Sequence, residues 1–151
     1  MVSIREQVDI RADVESTFAY VDDRSRSARL RPAFPPVRST DGASGANATM
    51  EYNMRILAIP FSGTATTTDY QPHERIIWSL QGALRGTVRW YFEPLSSKTR
   101  FTVAATLRAS APSLFRRALA PLLHRRTRQQ IRRFLQKTKR RVEADAGMES
   151  V

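Results

Sequence analysis

The sequence predicts an α+β domain: a seven-stranded antiparallel sheet, two short helices after the first strand, and one long C-terminal helix wrapped by the sheet. Two observations carry this. As far as Ala109, apolar and polar residues alternate in successive short segments, the period-2 mark of strands with one buried face. From Ser113 to Asp145 the apolar residues recur instead at steps of three and four. Phe115, Leu119, Leu122, Leu123, Ile131, Phe134, Leu135 and Val142 then share one side of a 3.6-residue helix. A sheet with one apolar face needs a cover, and this stripe is the only large apolar surface left to supply it.

Taken in order, Val2, Ile4, Val8 and Ile10 alternate with Ser3, Arg5, Gln7, Asp9 and Arg11 in the first strand, and Glu6 breaks the pattern by falling on the apolar side. Asp13 is placed to cap a short helix whose buried side is Val14, Phe18 and Val21 and which ends near Asp22 and Asp23. A second helical turn is expected from Arg24 to Leu30, stopped by Pro32, Pro35 and Pro36. Val37–Thr40 reads as a short strand, and the small residues from Asp41 to Gly45 as a hairpin turn. The next strand spans Ala46 to Ile59, with Met50, Tyr52, Met54 and Ile56 on one side, and Pro60 is expected to end it. Thr-rich Phe61–Tyr70 follows, then a turn at Gln71 to Glu74 and a strand Arg75–Leu80 with Ile76, Trp78 and Leu80 on one side. Two clean alternations complete the sheet: Leu84, Gly86, Val88, Trp90 and Phe92, then Phe101, Val103, Ala105 and Leu107. In the long helix Pro121 removes a hydrogen bond, so a break or bend is expected near Leu119 to Pro121.

The chain of 151 residues, 41% hydrophobic, is sized for one domain, expected over residues 1–146 with a disordered tail at 147–151. No apolar run is long enough to span a bilayer, and the charged N-terminal stretch does not read as a signal peptide, so a soluble, cytoplasmic protein is expected. The absence of cysteine excludes disulfides, thiolate metal sites and cysteine nucleophiles. His73 and His124 are the only histidines, and their spacing suggests neither a metal site nor a catalytic triad; no metal and no cofactor are expected. Charge is uneven. Eleven Lys or Arg and no acidic residue lie between Ser113 and Val142, which leaves 25 − 11 = 14 basic against 14 acidic residues elsewhere, so the whole net charge of +11 sits on this helix.

The order and spacing of several stretches resemble the SRPBCC superfamily, also called START-like or Bet v 1-like, and within it the bacterial polyketide cyclase/dehydrase and lipid-transport type proteins. The stretches are VDIRADVESTFAYVDD, DYQPHERIIWSL, RGTVRWYFEPL with TRFTVAATL, and ALAPLLHRRTRQQIRRFLQKTKRRVEAD. The resemblance implies a helix-grip fold around a deep apolar cavity. On that reading Met50, Tyr52, Met54, Trp78, Trp90, Phe92 and Phe101, with Leu119 and Leu123 of the helix, would line a site for a small hydrophobic or amphipathic ligand, lipid-like or aromatic. The same residues would equally serve as plain core.

Glu6 is the candidate catalytic carboxylate, as burial would suit it to proton transfer; an ion pair with a cation of the long helix would explain its position as well. The first reading is therefore ligand binding and transport. The alternative is a cyclase or aromatase using Glu6, Tyr52 or an inward-reaching Arg as acid and base. The cationic patch of Arg116, Arg117, Arg125, Arg126, Arg128, Arg132 and Arg133 suits an anionic membrane, a nucleic acid or plain solvation. Nucleic acid is disfavoured, because the aromatic residues fall on inward strand faces instead of between the cations. The sequence leaves the oligomeric state open.

Overall fold

A computed structural model describes residues 1–22, 37–39, 49–56 and 58–149. Strand β1 (Val2–Ile10) leads into helix α1 (Val14–Asp22), followed by β2 (Val37–Ser39), β3 (Thr49–Ile56), β4 (Ile59–Gln71), β5 (Arg75–Gly82), β6 (Leu84–Leu95) and β7 (Lys98–Ala109). Helix α2 (Ser113–Glu149) follows β7 and runs four residues past Asp145, where the sequence pattern stops. The expected helix at Arg24–Leu30 and the turn at Asp41–Gly45 lie outside the described residues.

The strands form one seven-stranded antiparallel sheet in the order β1-β7-β6-β5-β4-β3-β2. Strands β2 to β7 follow one another as a meander, and β1 returns to pair with β7, placing Val2 opposite Leu107 and Ile10 opposite Thr99. Helix α2 packs against β1 and β7, near one end of that order, and also against β3 near the other end. Both can reach one helix only if the sheet curls around it, as the right-handed twist of a long antiparallel sheet permits.

Local chemistry sets the element ends. The Ser16 amide donates to the Asp13 carboxylate at 2.7 Å, the N-cap that the sequence predicted for α1. Pro60 does not separate two strands. It lies inside β4 opposite Arg55, and the chain turns just before it, where Ala58 has a φ of 65°. Pairing of β4 with β5 begins only at Gly63 and Gly82, so at Pro60 the strand has a neighbour on one side and the missing amide costs no ladder bond. A register shift between Thr67 and Asp69 inserts one residue and turns Tyr70 to the inner side, where its ring meets Phe18 at 5.9 Å. Gly86 is required where it stands: its φ is 144°, and a Cβ there would lie 1.8 Å from the Thr106 carbonyl oxygen.

The expected break at Pro121 is absent, and α2 is helical from Ser113 to Glu149. Pro121 is exposed, as is Arg117, whose carbonyl loses its partner to the proline, so solvent can satisfy that group. The predicted stripe holds for Leu123, Ile131, Phe134, Leu135 and Val142, all buried. It weakens in the first turns, where Phe115 is 65% exposed and Leu119 half-buried, while half-buried Leu122 still packs against the core. At the other end, Lys139 donates to the Asp9 carbonyl and to the Glu143 carboxylate, both at 2.7 Å, and the Arg11 amide donates to the same carboxylate at 2.9 Å. These bonds fasten α2 to the end of β1.

Candidate functional site

The inner face of the sheet carries large side chains from five strands. Register places Met50 opposite Ala65, Tyr52 opposite Gly63 and Met54 opposite Phe61. Further round, Thr67 faces Trp78, Ile76 faces Trp90, and Phe92 faces Phe101. Of the expected lining residues, Met50, Tyr52, Met54, Trp78, Trp90, Phe92, Phe101 and Leu123 are buried, and Leu119 is half-buried.

Aromatic rings run along this face in direct contact. Trp78 meets Trp90 edge-on at 4.5 Å, and Trp90 lies against Phe134 of α2 at 5.3 Å and Phe101 at 5.5 Å. Phe101 stacks on Phe92 at 4.7 Å, Phe92 meets Phe18 of α1 at 5.1 Å, and Phe18 reaches His73 at 5.3 Å. Such offset and edge-on pairs each add about 0.5–1.5 kcal/mol beyond the area they bury. Phe134 thus belongs to the same ring set as the strand aromatics and is the main contribution of α2 to it.

Tyr52 is part of the framework. The Leu84 amide donates to its hydroxyl oxygen at 2.9 Å, and the hydroxyl points to the carbonyl oxygens of Leu84 at 2.8 Å and Gln81 at 3.0 Å. The ring passes over Gly63, where an added Cβ would lie 2.7 Å from the hydroxyl and 2.0 Å from the Gln81 carbonyl oxygen. Burial pushes its ionisation above the usual tyrosine value, against the smaller opposing effect of the Leu84 amide. A phenol held this way pins β3 to the β5–β6 turn, with its proton committed to backbone carbonyl oxygens.

Glu6 faces inward opposite Val103, and its side chain keeps 21% of its surface exposed. Its carboxylate pairs with the Arg132 guanidinium at 3.0 Å and lies 3.4 Å from that of Arg128. Arg128 and Arg132 of the predicted patch are thereby bound to β1, while Arg117, Arg125, Arg126 and Arg133 stay exposed and Arg116 is half-buried.

Three inward polar groups have no hydrogen-bond partner among the described residues: the Trp78 indole nitrogen, the Thr67 hydroxyl and the Thr127 hydroxyl. Trp78 is 3% exposed, and Thr67 and Thr127 are fully buried. Sequence reading passed over both threonines. Thr127 had a signal, since it lies four residues from Leu123 and four from Ile131, inside the buried stripe. Among the described residues there is no cluster of three or more His, Asp or Glu that could hold a metal ion, and no helix is long and apolar enough to cross a membrane.

With the fold in hand, comparison with known proteins is decisive. The sequence profile of the family described as polyketide cyclase / dehydrase and lipid transport matches residues 1–143. The chain belongs to that family. Among curated proteins, none matches it significantly. Solved structures similar to this family member include a protein of Thermus thermophilus, with a TM-score of 0.74, 17% identity, and 95% of this chain and 98% of that chain covered. A START superfamily protein from Mycobacterium smegmatis gives 0.65 at 15% identity, covering 94% of this chain and 97% of its own. The Zhui aromatase/cyclase from a Streptomyces species gives 0.65 at 16% identity, covering 95% and 96%. At such identities the likeness is one of fold: the helix-grip architecture of START-like proteins.

Proposed function

We propose that the chain binds a small apolar or amphipathic molecule carrying at least one oxygen, between the inner face of the sheet and α2. One observation carries this reading: the Trp78 nitrogen and the Thr67 and Thr127 hydroxyls are buried with no hydrogen-bond partner among the described residues, beside the aromatic rings of the inner face. Leaving such a group unsatisfied costs about 1–3 kcal/mol. A ligand oxygen that accepts from the indole or exchanges hydrogen bonds with the hydroxyls removes that cost, while the rings around it take up the apolar body. Family membership supports the same reading, as it includes lipid transport beside cyclase chemistry.

Binding is favoured over acid–base catalysis because the two candidate groups are engaged. Tyr52 is bonded to backbone at Leu84, and Glu6 is paired with Arg132. The test uses naphthalene and 2-naphthol, which differ by one hydroxyl, in isothermal titration calorimetry. Wild type is expected to bind 2-naphthol about fivefold to tenfold tighter, the worth of one net hydrogen bond. Trp78→Phe combined with Thr67→Val and Thr127→Val should bring the two affinities together. Absence of binding by either probe sinks the proposal; binding of both with equal affinity by wild type removes the oxygen requirement and keeps the apolar site.

A further inference from the structure

The first turns of α2 are unlike the rest of the helix. No residue from Ser113 to Leu122 is fully buried, and the first buried side chain is Leu123. Yet this stretch is apolar: Leu114 is 83% exposed, Phe115 is 65% exposed, and Ala118 and Pro121 are also exposed. Leu114 and Ala118 follow at a four-residue step with Phe115 beside them, a second, exposed apolar strip turned away from the line of Leu123, Thr127 and Ile131 that packs inward; half-buried Leu122 lies between the two and packs against the core.

Another exposed apolar residue lies at the same end of the molecule. Ser110, just before α2, donates through its amide to the Ala83 carbonyl at 2.8 Å and through its hydroxyl to the Gly82 carbonyl at 2.7 Å. The start of α2 is therefore tied to the β5–β6 turn. The tip of the β3–β4 hairpin projects past that same turn, because β4 pairs with β5 only from Gly63 onward, and it presents Ile59 at 51% exposure. Leu114, Phe115 and Ile59 are three of the four large hydrophobic side chains exposed among the described residues, the other being Met1.

Cations frame this surface. Arg117, Arg125 and Arg126 of α2, Arg85 and Arg108 by the β5–β6 turn, and Arg55 at the hairpin are exposed, and α2 has no acidic residue in its first turn. Two copies of such a face would repel each other. A nucleic acid would answer the charge but would leave the apolar side chains without a partner. A partner that is both anionic and apolar answers both.

We propose that this end of the molecule, Leu114 and Phe115 of α2 with Ile59 of the β3–β4 hairpin, docks on an anionic phospholipid bilayer, its apolar side chains entering the interface and its arginines meeting the headgroups. The docking does not depend on what the interior binds. Both native tryptophans are buried, so Phe115→Trp supplies a reporter, with flotation on vesicles of phosphatidylcholine alone or with about one third phosphatidylglycerol. The protein should float with anionic vesicles only, the emission of the introduced indole should shift to the blue on binding, and raising salt from about 0.05 to 0.5 M should release it.

Leu114→Ser with Phe115→Ser should weaken partitioning about tenfold or more through lost apolar burial. These positions are exposed, so the fold should persist, with thermal unfolding as the control. Equal flotation on both vesicle types, or unchanged flotation of the serine variant, would overturn the proposal. So would a dimer in solution that the serine variant dissolves, or duplex DNA binding lost in the same variant.

Discussion

Thr127 shows what a single residue can reveal. Its hydroxyl is fully buried with no hydrogen-bond partner among the described residues, a cost in the free protein, so Thr127→Val should raise stability by about 1 kcal/mol in urea unfolding while weakening the oxygen-bearing probe. Gain in one and loss in the other would mark a group kept for binding. Tyr52 predicts the opposite. Its hydroxyl serves the Leu84 amide and carbonyl, so Tyr52→Phe strands buried backbone groups and should cost about 1–3 kcal/mol. Glu6 marks how far pattern reading goes at this scale: alternation turned it inward and allowed an ion pair with a cation of the long helix, but that the partners are Arg128 and Arg132, 122 and 126 residues away, no local pattern announces.

Among the elements, β5, β6 and β7 were readable almost to their ends because one buried face imposes strict alternation. The β3–β4 boundary was not, since Pro60 breaks a strand only where its amide is needed, and that depends on where β5 begins to pair. The bulge at Thr67 and Asp69 was likewise invisible, because a Thr-rich segment fits either parity. In α2 the period identified the helix but could not divide its apolar residues between the stripe that packs and the one left exposed. At Pro121 a break or bend was expected, and the helix runs through it without interruption. Because it is exposed within a continuous helix, Pro121→Ala should restore one hydrogen bond and raise stability by roughly 1–3 kcal/mol, read as a higher thermal midpoint.

For the molecule as a whole, charge distribution governs response to conditions. Eleven cations on one helix repel one another, so the thermal midpoint should rise between about 0.02 and 0.2 M salt as that repulsion is screened. Acid should act through four carboxylates. Arg100 and Lys98 hold Asp9 below its ordinary value, the Ser16 hydrogen bonds lower Asp13, and Arg75 lowers Asp69. For Glu143, burial pushes upward but is outweighed by Lys139 and the Arg11 amide. Groups lowered in the folded state stabilise it fully above their unfolded values, 3.8 for Asp and 4.5 for Glu, and lose that contribution as pH falls through the still lower folded values. Stability measured from pH 6 downward should therefore decline below about pH 4, and less steeply in Asp9→Asn.

The pairing of β1 with β7 also has a consequence in time. Val2 finds its place only beside Leu107, and Glu6 only beside Arg132, so during synthesis β1 must wait for β7 and α2, which follow it by about a hundred residues. Until then the meander from β2 to β7 can form by hairpin closure alone, but its inner aromatic face stays open on one flank. Nascent chains held at residue 112 should be captured by chaperones that recognise apolar surface, and release should follow synthesis of α2.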